Sequence, residues 1–333
     1  MHYRYTIEQH TLKFRQPAGT SRGVYTERRI WLVKFEDTLT GRVGVGECAP
    51  LPNLSCDDLP NYEAVLNSLC DKVAHLGRTD FEDLRPYPSM TFGIETALLH
   101  AQRGTYRLFD TPYSRGEEQI PTNGLIWMGT LDEMRKRVEE KIREGSRCIK
   151  IKIGAINWDD ELSLIKSIRE RYTEKEIEIR VDANGAFKTN EAIEKLERLT
   201  KYNLHSIEQP IEKGNWNEMA RLCRTSPLPI ALDEELIGIN QPQEKAQLLD
   251  AIRPQYIVIK PSLHGGMQGS REWIELARER KIGSWLTSAL ESNVGLNAIA
   301  NLAADIYGPN ITFPQGLGTG KLFVENIKLN ENE

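Results

Sequence analysis

Five apolar runs in the middle of this 333-residue chain carry charged side chains, and the charges keep step. In residues 148–154, Lys150 and Lys152 alternate with Ile149, Ile151 and Ile153, the period of a strand with one apolar and one basic face. The runs that follow end in Asp182, Glu208, Asp233 and Lys260, at steps of 26, 25 and 27 residues. A strand, a helix and two short loops occupy about that length, so one unit recurs with its charge at a fixed phase. Three carboxylates converging without a cation would repel and raise one another's pKa values, whereas a divalent ion satisfies them together. An all-oxygen acidic set suits a hard ion, which makes magnesium the expected cofactor and Asp182, Glu208 and Asp233 its candidate ligands. Lys152 would lie on one side of that ion and Lys260 on the other. A lysine becomes a base when burial and nearby positive charge lower its pKa, and Lys150 and the metal would supply that charge. A metal beside a basic lysine is what removal of a proton alpha to a carboxylate requires, because the enediolate product carries negative charge on adjacent oxygens. The same residues could instead form an ion-pair network that only stabilises the rim. Six residues at matched phase argue against that.

The elements that must position these residues follow from the alternation. It turns Lys150, Lys152, Arg180, Asp182, Ser206, Glu208, Ala231, Asp233, Val258 and Lys260 inward and leaves the isoleucines between them for covering helices. Strands are expected at 122–128, 147–153, 177–182, 203–208, 228–233, 256–260, 282–288 and 311–316, with amphipathic helices between them. Eight strands in alternation with helices make a barrel whose chemistry sits at the C-terminal rim of the strands. An open doubly wound sheet is the alternative, but 123–129 lacks the glycine-rich phosphate turn such a sheet would carry. Before residue 117 the pattern differs. Strands at 3–14, 29–35 and 42–47, an irregular loop at 15–23, and helices near 57–76 and 90–103 read as an α+β module. The expected division is 1–117, joined by 321–333, and 118–320.

Composition narrows the class. Net charge is -5, and the 43 basic residues are dispersed, so no nucleic-acid partner is expected. There is no apolar leader and no long apolar run, which points away from a membrane partner. Five cysteines without a C-x-x-C pair fit reduced thiols in a cytoplasmic protein. The expected partner is a small-molecule carboxylate substrate. Oligomeric state stays open.

Lys150-x-Lys152, Val181-Asp-Ala-Asn-Gly185, Ile207-Glu-Gln-Pro210, Leu232-Asp-Glu234 and Ile259-Lys-Pro261 together resemble the enolase superfamily, muconate-lactonizing subgroup. That superfamily pairs a lysine or histidine base with a magnesium-stabilised ene-diolate. The resemblance implies an α/β fold, a modified (β/α)7β TIM-type barrel under an α+β capping domain. It also implies Asp182, Glu208 and Asp233 as magnesium ligands, and Lys152 and Lys260 as the catalytic pair supported by Lys150. Within the subgroup, residues 286–300 and Gly316-Leu-Gly-Thr-Gly320 look most like the o-succinylbenzoate synthase family, which implies a hydro-lyase. The glutamate in Ser288-Ala-Leu-Glu291 stands where dipeptide epimerases carry D-x-D. A site with two lysines can also racemise, so N-succinylamino acid racemisation stays open beside dehydration. Substrate contacts are expected from loops 19–23 and 50–53. Arg22 is the candidate for a second carboxylate, and Ser288 on the seventh strand is a candidate donor.

Overall fold

A computed structural model describes residues 1–20 and 23–329. The N-terminal part is an antiparallel sheet of β1 (Tyr3–Thr20), β2 (Gly23–Asp37) and β3 (Val43–Cys48), with helices α1 (Tyr62–Leu76), α2 (Phe81–Leu84) and α3 (Pro88–Arg103). Most of the expected irregular loop is strand, because β1 runs on to Thr20 and β2 resumes at Gly23. Among the described residues the β1–β2 register breaks between Lys13 and Ala18, the stretch that holds Pro17, which has no amide to give the ladder. Helix α3 lies almost on the backbone of β3. A Cβ on Gly46 would fall 1.9 Å from Gly93 O, so only glycine permits that approach. The edge of β3 is further closed by His100 Nδ1, which accepts from Val45 N at 2.9 Å.

From residue 124 onward strand and helix alternate: β4 (Gly124–Ile126), α4 (Leu131–Arg143), β5 (Cys148–Lys152), α5 (Trp158–Arg169), β6 (Glu178–Asp182), α6 (Thr189–Thr200), β7 (Ser206–Glu208), α7 (Trp216–Thr225), β8 (Ile230–Leu232), α8 (Pro242–Ile252), β9 (Tyr256–Ile259), α9 (Pro261–His264), α10 (Gly266–Glu279), β10 (Gly283–Leu286) and α11 (Asn293–Tyr307). The seven strands β4 to β10 pair in parallel in sequence order. The expected eighth strand shrinks to Gln315 and Gly316. These bridge Thr122 on one margin of the sheet and Thr287 on the other, so two residues close the curl. Pro314, which offers no amide, stands immediately before them.

Ile149, Ile151, Ile179, Val181, Ile207, Ile230, Leu232, Ile257 and Ile259 are buried in one apolar cluster with residues of the surrounding helices. Ala231, Val258 and Trp285 form a separate cluster on the other strand face, and the Arg180 guanidinium lies 4.3 Å from the Trp285 ring centroid. The inward alternation read from the sequence therefore holds, with apolar and aromatic filling below and charge above. Cap and barrel are tied by carboxylates. Glu47 accepts from Ser292 N and Gly295 N at 2.8 Å each at the start of α11, and Glu95 accepts from Gln268 N at 3.1 Å at the start of α10. The chain's C-terminal part also returns to β1, where Phe323 bridges Phe14.

Candidate active site

The six charged residues singled out in the sequence meet at the C-terminal rim of β5 to β9. Parallel register sets Lys152 beside Asp182 and Asp182 beside Glu208, so neighbouring strand ends deliver their charges side by side. Lys150 Nζ lies 2.6 Å from Glu208 Oε2 and 2.9 Å from Asp182 Oδ2. Lys152 Nζ lies 2.6 Å from Asp182 Oδ2 and donates to Asn184 Oδ1 at 2.9 Å. Lys260 Nζ makes a short contact with Asp233 Oδ2 and stands 3.7 Å from Glu208 Oε1. All six are buried.

Electrostatics follow from that packing. Burial and the neighbouring Asp182 push the Glu208 carboxyl up to about 7. Burial also works against ionising Asp182, but Lys150 and Lys152 overcome it and hold that carboxyl well below the usual range. Burial likewise opposes the charge on Lys150 and Lys260. Asp182 and Glu208 outweigh it for Lys150, and Asp233 and Glu208 for Lys260, so both ammoniums titrate above their ordinary value.

The donor set nonetheless suits a hard divalent ion. Four carboxylates, Asp182, Glu208, Asp233 and Glu234, stand with three ammoniums, Lys150, Lys152 and Lys260. Two buried oxygens, Glu208 Oε1 and Asp233 Oδ1, accept no hydrogen bond. Buried, acidic, all-oxygen and under-satisfied is the chemistry of a magnesium site. Among the described residues the carboxylates lie with lysines between them rather than grouped about one coordination point.

Above the network is a cavity with Lys150, Lys152, Lys260, Asn184 and Glu234 in its floor. Its apolar wall comes from both parts of the molecule: Tyr25, Leu51 and Leu54 from the cap, and Leu125, Trp127 and Leu290 from the barrel. Leu51 lies in the expected contact loop 50–53. Ser288 stands on the wall as expected, but its hydroxyl donates to Glu291 Oε2 at 2.7 Å. Among the described residues, its neighbour Thr287 and Thr319 both line the cavity with buried hydroxyls that have no hydrogen-bond partner. Arg22 falls outside the described residues. Asn184 and Glu234, joined by an amide-to-carboxylate bond of 2.9 Å, were not singled out as floor residues from sequence. The readable signal was adjacency, since each follows a candidate ligand within two positions. His264 turns away from chemistry: its Nδ1 accepts from Lys260 N at 2.9 Å, and burial, with Lys260 nearby, keeps the ring neutral.

Residues 133–320 match the family model described as Enolase C-terminal domain-like, and residues 3–101 match MenC, N-terminal domain. The chain is 46% identical to o-succinylbenzoate synthase from Desulfotalea psychrophila, with 96% of this chain and 94% of that protein aligned. The crystal structure of MenC from Desulfotalea psychrophila superposes with a TM-score of 0.82 at 39% identity, covering 99% of this chain and 97% of that one. A structure of o-succinylbenzoate synthase from Thermosynechococcus elongatus, complexed with Mg in its active site, shares the fold with a TM-score of 0.77 at 22% identity, over 98% of this chain and 96% of that one.

Proposed function

Because this chain belongs to the enolase C-terminal domain-like family, we propose that it performs the reaction for which its Desulfotalea relative is named. That reaction is the syn-dehydration of 2-succinyl-6-hydroxy-2,4-cyclohexadiene-1-carboxylate to 2-succinylbenzoate, a step toward menaquinone. The observation that carries the reading is the convergence of Lys152, Asp182, Glu208, Asp233 and Lys260 beneath one cavity.

In this reading Asp182, Glu208 and Asp233 would hold magnesium, which would supply Lewis-acid stabilisation for negative charge on the substrate carboxylate. Lys152 Nζ takes the proton alpha to the carboxylate and returns it to the departing hydroxyl on the same face, so one group serves as base and then acid. Asn184, which accepts a hydrogen bond from Lys152 Nζ, fixes where that amine points. Lys260 faces the ring from the opposite side as a cation over the developing π system, and Lys150 tunes both by its charge. The apolar wall excludes water from the ring, and the free hydroxyls of Thr287 and Thr319 suit a polar group of the succinyl arm. We divide the chain accordingly into a cap of 1–117 with 321–333 and a catalytic part of 118–320. Cytoplasmic placement suits the five free cysteines. Among the described residues no helix is long and apolar enough to cross a membrane.

Incubation with the diene and magnesium should produce aromatic absorbance, and Lys152→Ala should lower kcat by roughly a thousandfold or more, as loss of the proton-transfer group does. Absence of turnover in the wild type, or turnover undiminished by that substitution, rejects the reading.

A further inference from the structure

Arg28 is a charged residue that the mechanism does not use. It sits on β2 of the cap at 1% exposure, among the largest fully buried side chains of the molecule. Its guanidinium donates to four main-chain carbonyls: Ala49 O at 2.5 Å, Pro50 O in a shorter contact, and Ala289 O and Leu290 O at 3.3 Å each. Burying a guanidinium costs several kcal/mol unless its donors are matched, so such a residue is held where its geometry matters. Burial lowers the pKa of this group, and Glu291 and Glu47 counter only part of that through space. Neither carboxylate is what Arg28 grips. It grips backbone, from two loops more than 200 positions apart in sequence, with separations of 21 and 22 residues to one and 261 and 262 to the other.

Both loops belong to the cavity. The first continues into Leu51 and Leu54, the second contains Ala289 and Leu290, and Tyr25 stands three residues before Arg28 on its own strand. Leu290 has φ +66°, a left-handed backbone that a side chain other than glycine's adopts only at a cost, and its carbonyl is one of the four that Arg28 holds. A planar fork with five donors in fixed directions can address four carbonyls at once, whereas an ammonium with three donors on one nitrogen cannot.

We propose that Arg28 is a positioning residue that clamps the cap loop after β3 to the loop after β10 and so sets how tightly the apolar wall closes on the substrate. This rests on the cavity being the substrate pocket of the proposed dehydratase. Arg28→Lys keeps the charge and removes the fork, and Arg28→Gln removes both. Hydrogen exchange should quicken by roughly tenfold or more at amides of 49–54 and 288–291 in each variant, with β5 and β6 unchanged. The Michaelis constant for the diene should rise by about fivefold or more while kcat changes less than about threefold, a split that general destabilisation would not give. In the wild type, 2-succinylbenzoate should slow exchange in both segments together, a measurement that stands even if the variants fail to fold. Exchange unchanged in the two loops, exchange quickened uniformly along the chain, loop-by-loop protection by the product, or an unchanged Michaelis constant despite loosened loops each overturns the proposal. Failure of the functional reading shows separately, as absent wild-type turnover, and the variant exchange data then still decide whether Arg28 clamps the loops.

Discussion

Replacing Lys150 by Met tests whether this rim is a cation site occupied by lysine in the absence of a metal. Its ammonium lies 2.6 Å from Glu208 and 2.9 Å from Asp182. At an effective dielectric of about 20 each contact is worth about 6 kcal/mol gross, and removing one member of a buried network nets a loss of about 3–5 kcal/mol after desolvation is credited. Asp182 keeps Lys152 at 2.6 Å, so the loss concentrates on Glu208, left with Lys260 at 3.7 Å. Unfolding entropy near 2.1 cal/mol/K per residue gives roughly 0.7 kcal/mol/K for the whole chain, so the melting temperature should fall by about 4–7 °C. The assay is thermal unfolding of wild type and Lys150→Met with a chelator, at about pH 8, where Glu208, with its carboxyl pushed up to about 7, is mostly ionised. Added magnesium should shrink the gap to under about 2 °C, because an ion that binds the folded state supplies the missing positive charge. A chelated variant melting within about 1 °C of wild type, or a gap that magnesium leaves unchanged, refutes the electrostatic account of the rim.

Two further outcomes concern the cap. Gly46→Ala would set a Cβ 1.9 Å from Gly93 O and 2.8 Å from Ala97 N, both main-chain atoms, so β3 and α3 must part. A destabilisation of about 3 kcal/mol by denaturant titration is expected, and an unchanged midpoint would show that the helix shifts without cost. Asp57 is buried beneath Ser89 and Met90, and burial pushes its carboxyl up to about 6 against the hydrogen bonds it accepts there. A carboxyl raised on folding contributes stability that is complete below the unfolded value of about 3.9 and is lost as pH climbs through about 6, here about 3 kcal/mol. Asp57→Asn should therefore narrow the difference in unfolding midpoint between about pH 4.5 and pH 7.5, and an identical difference in both proteins would contradict the shift.

The placement of the charged residues was legible because it obeys a short rule. In β5 and β6 side chains alternate faces, so Lys150, Lys152 and Asp182 could be assigned inward from their neighbours alone, and the recurrence to Glu208, Asp233 and Lys260 supplied the rest. Where backbone geometry decides, the sequence was weaker. Residues 15–20 read as loop because of Pro17 and Gly19, yet β1 runs through them and its last three residues, 18–20, pair with β2. The eighth strand looked as long as the others but is two residues wide in pairing. Ser288 looked like a free donor because nothing local announces that Glu291, three positions on, accepts the hydrogen bond its hydroxyl gives. Arg28 carried no signal at all. Its partners are carbonyls, which every residue possesses, and only the folded chain brings Ala49 and Leu290 within its reach.

The most direct measurement is a crystal structure of the protein with magnesium and 2-succinylbenzoate. The account predicts one metal within about 2.1 Å of oxygens from Asp182, Glu208 and Asp233, with Lys152 and Lys260 Nζ on opposite faces of the ring. A metal held elsewhere, or a product ring flanked by neither lysine, would contradict it.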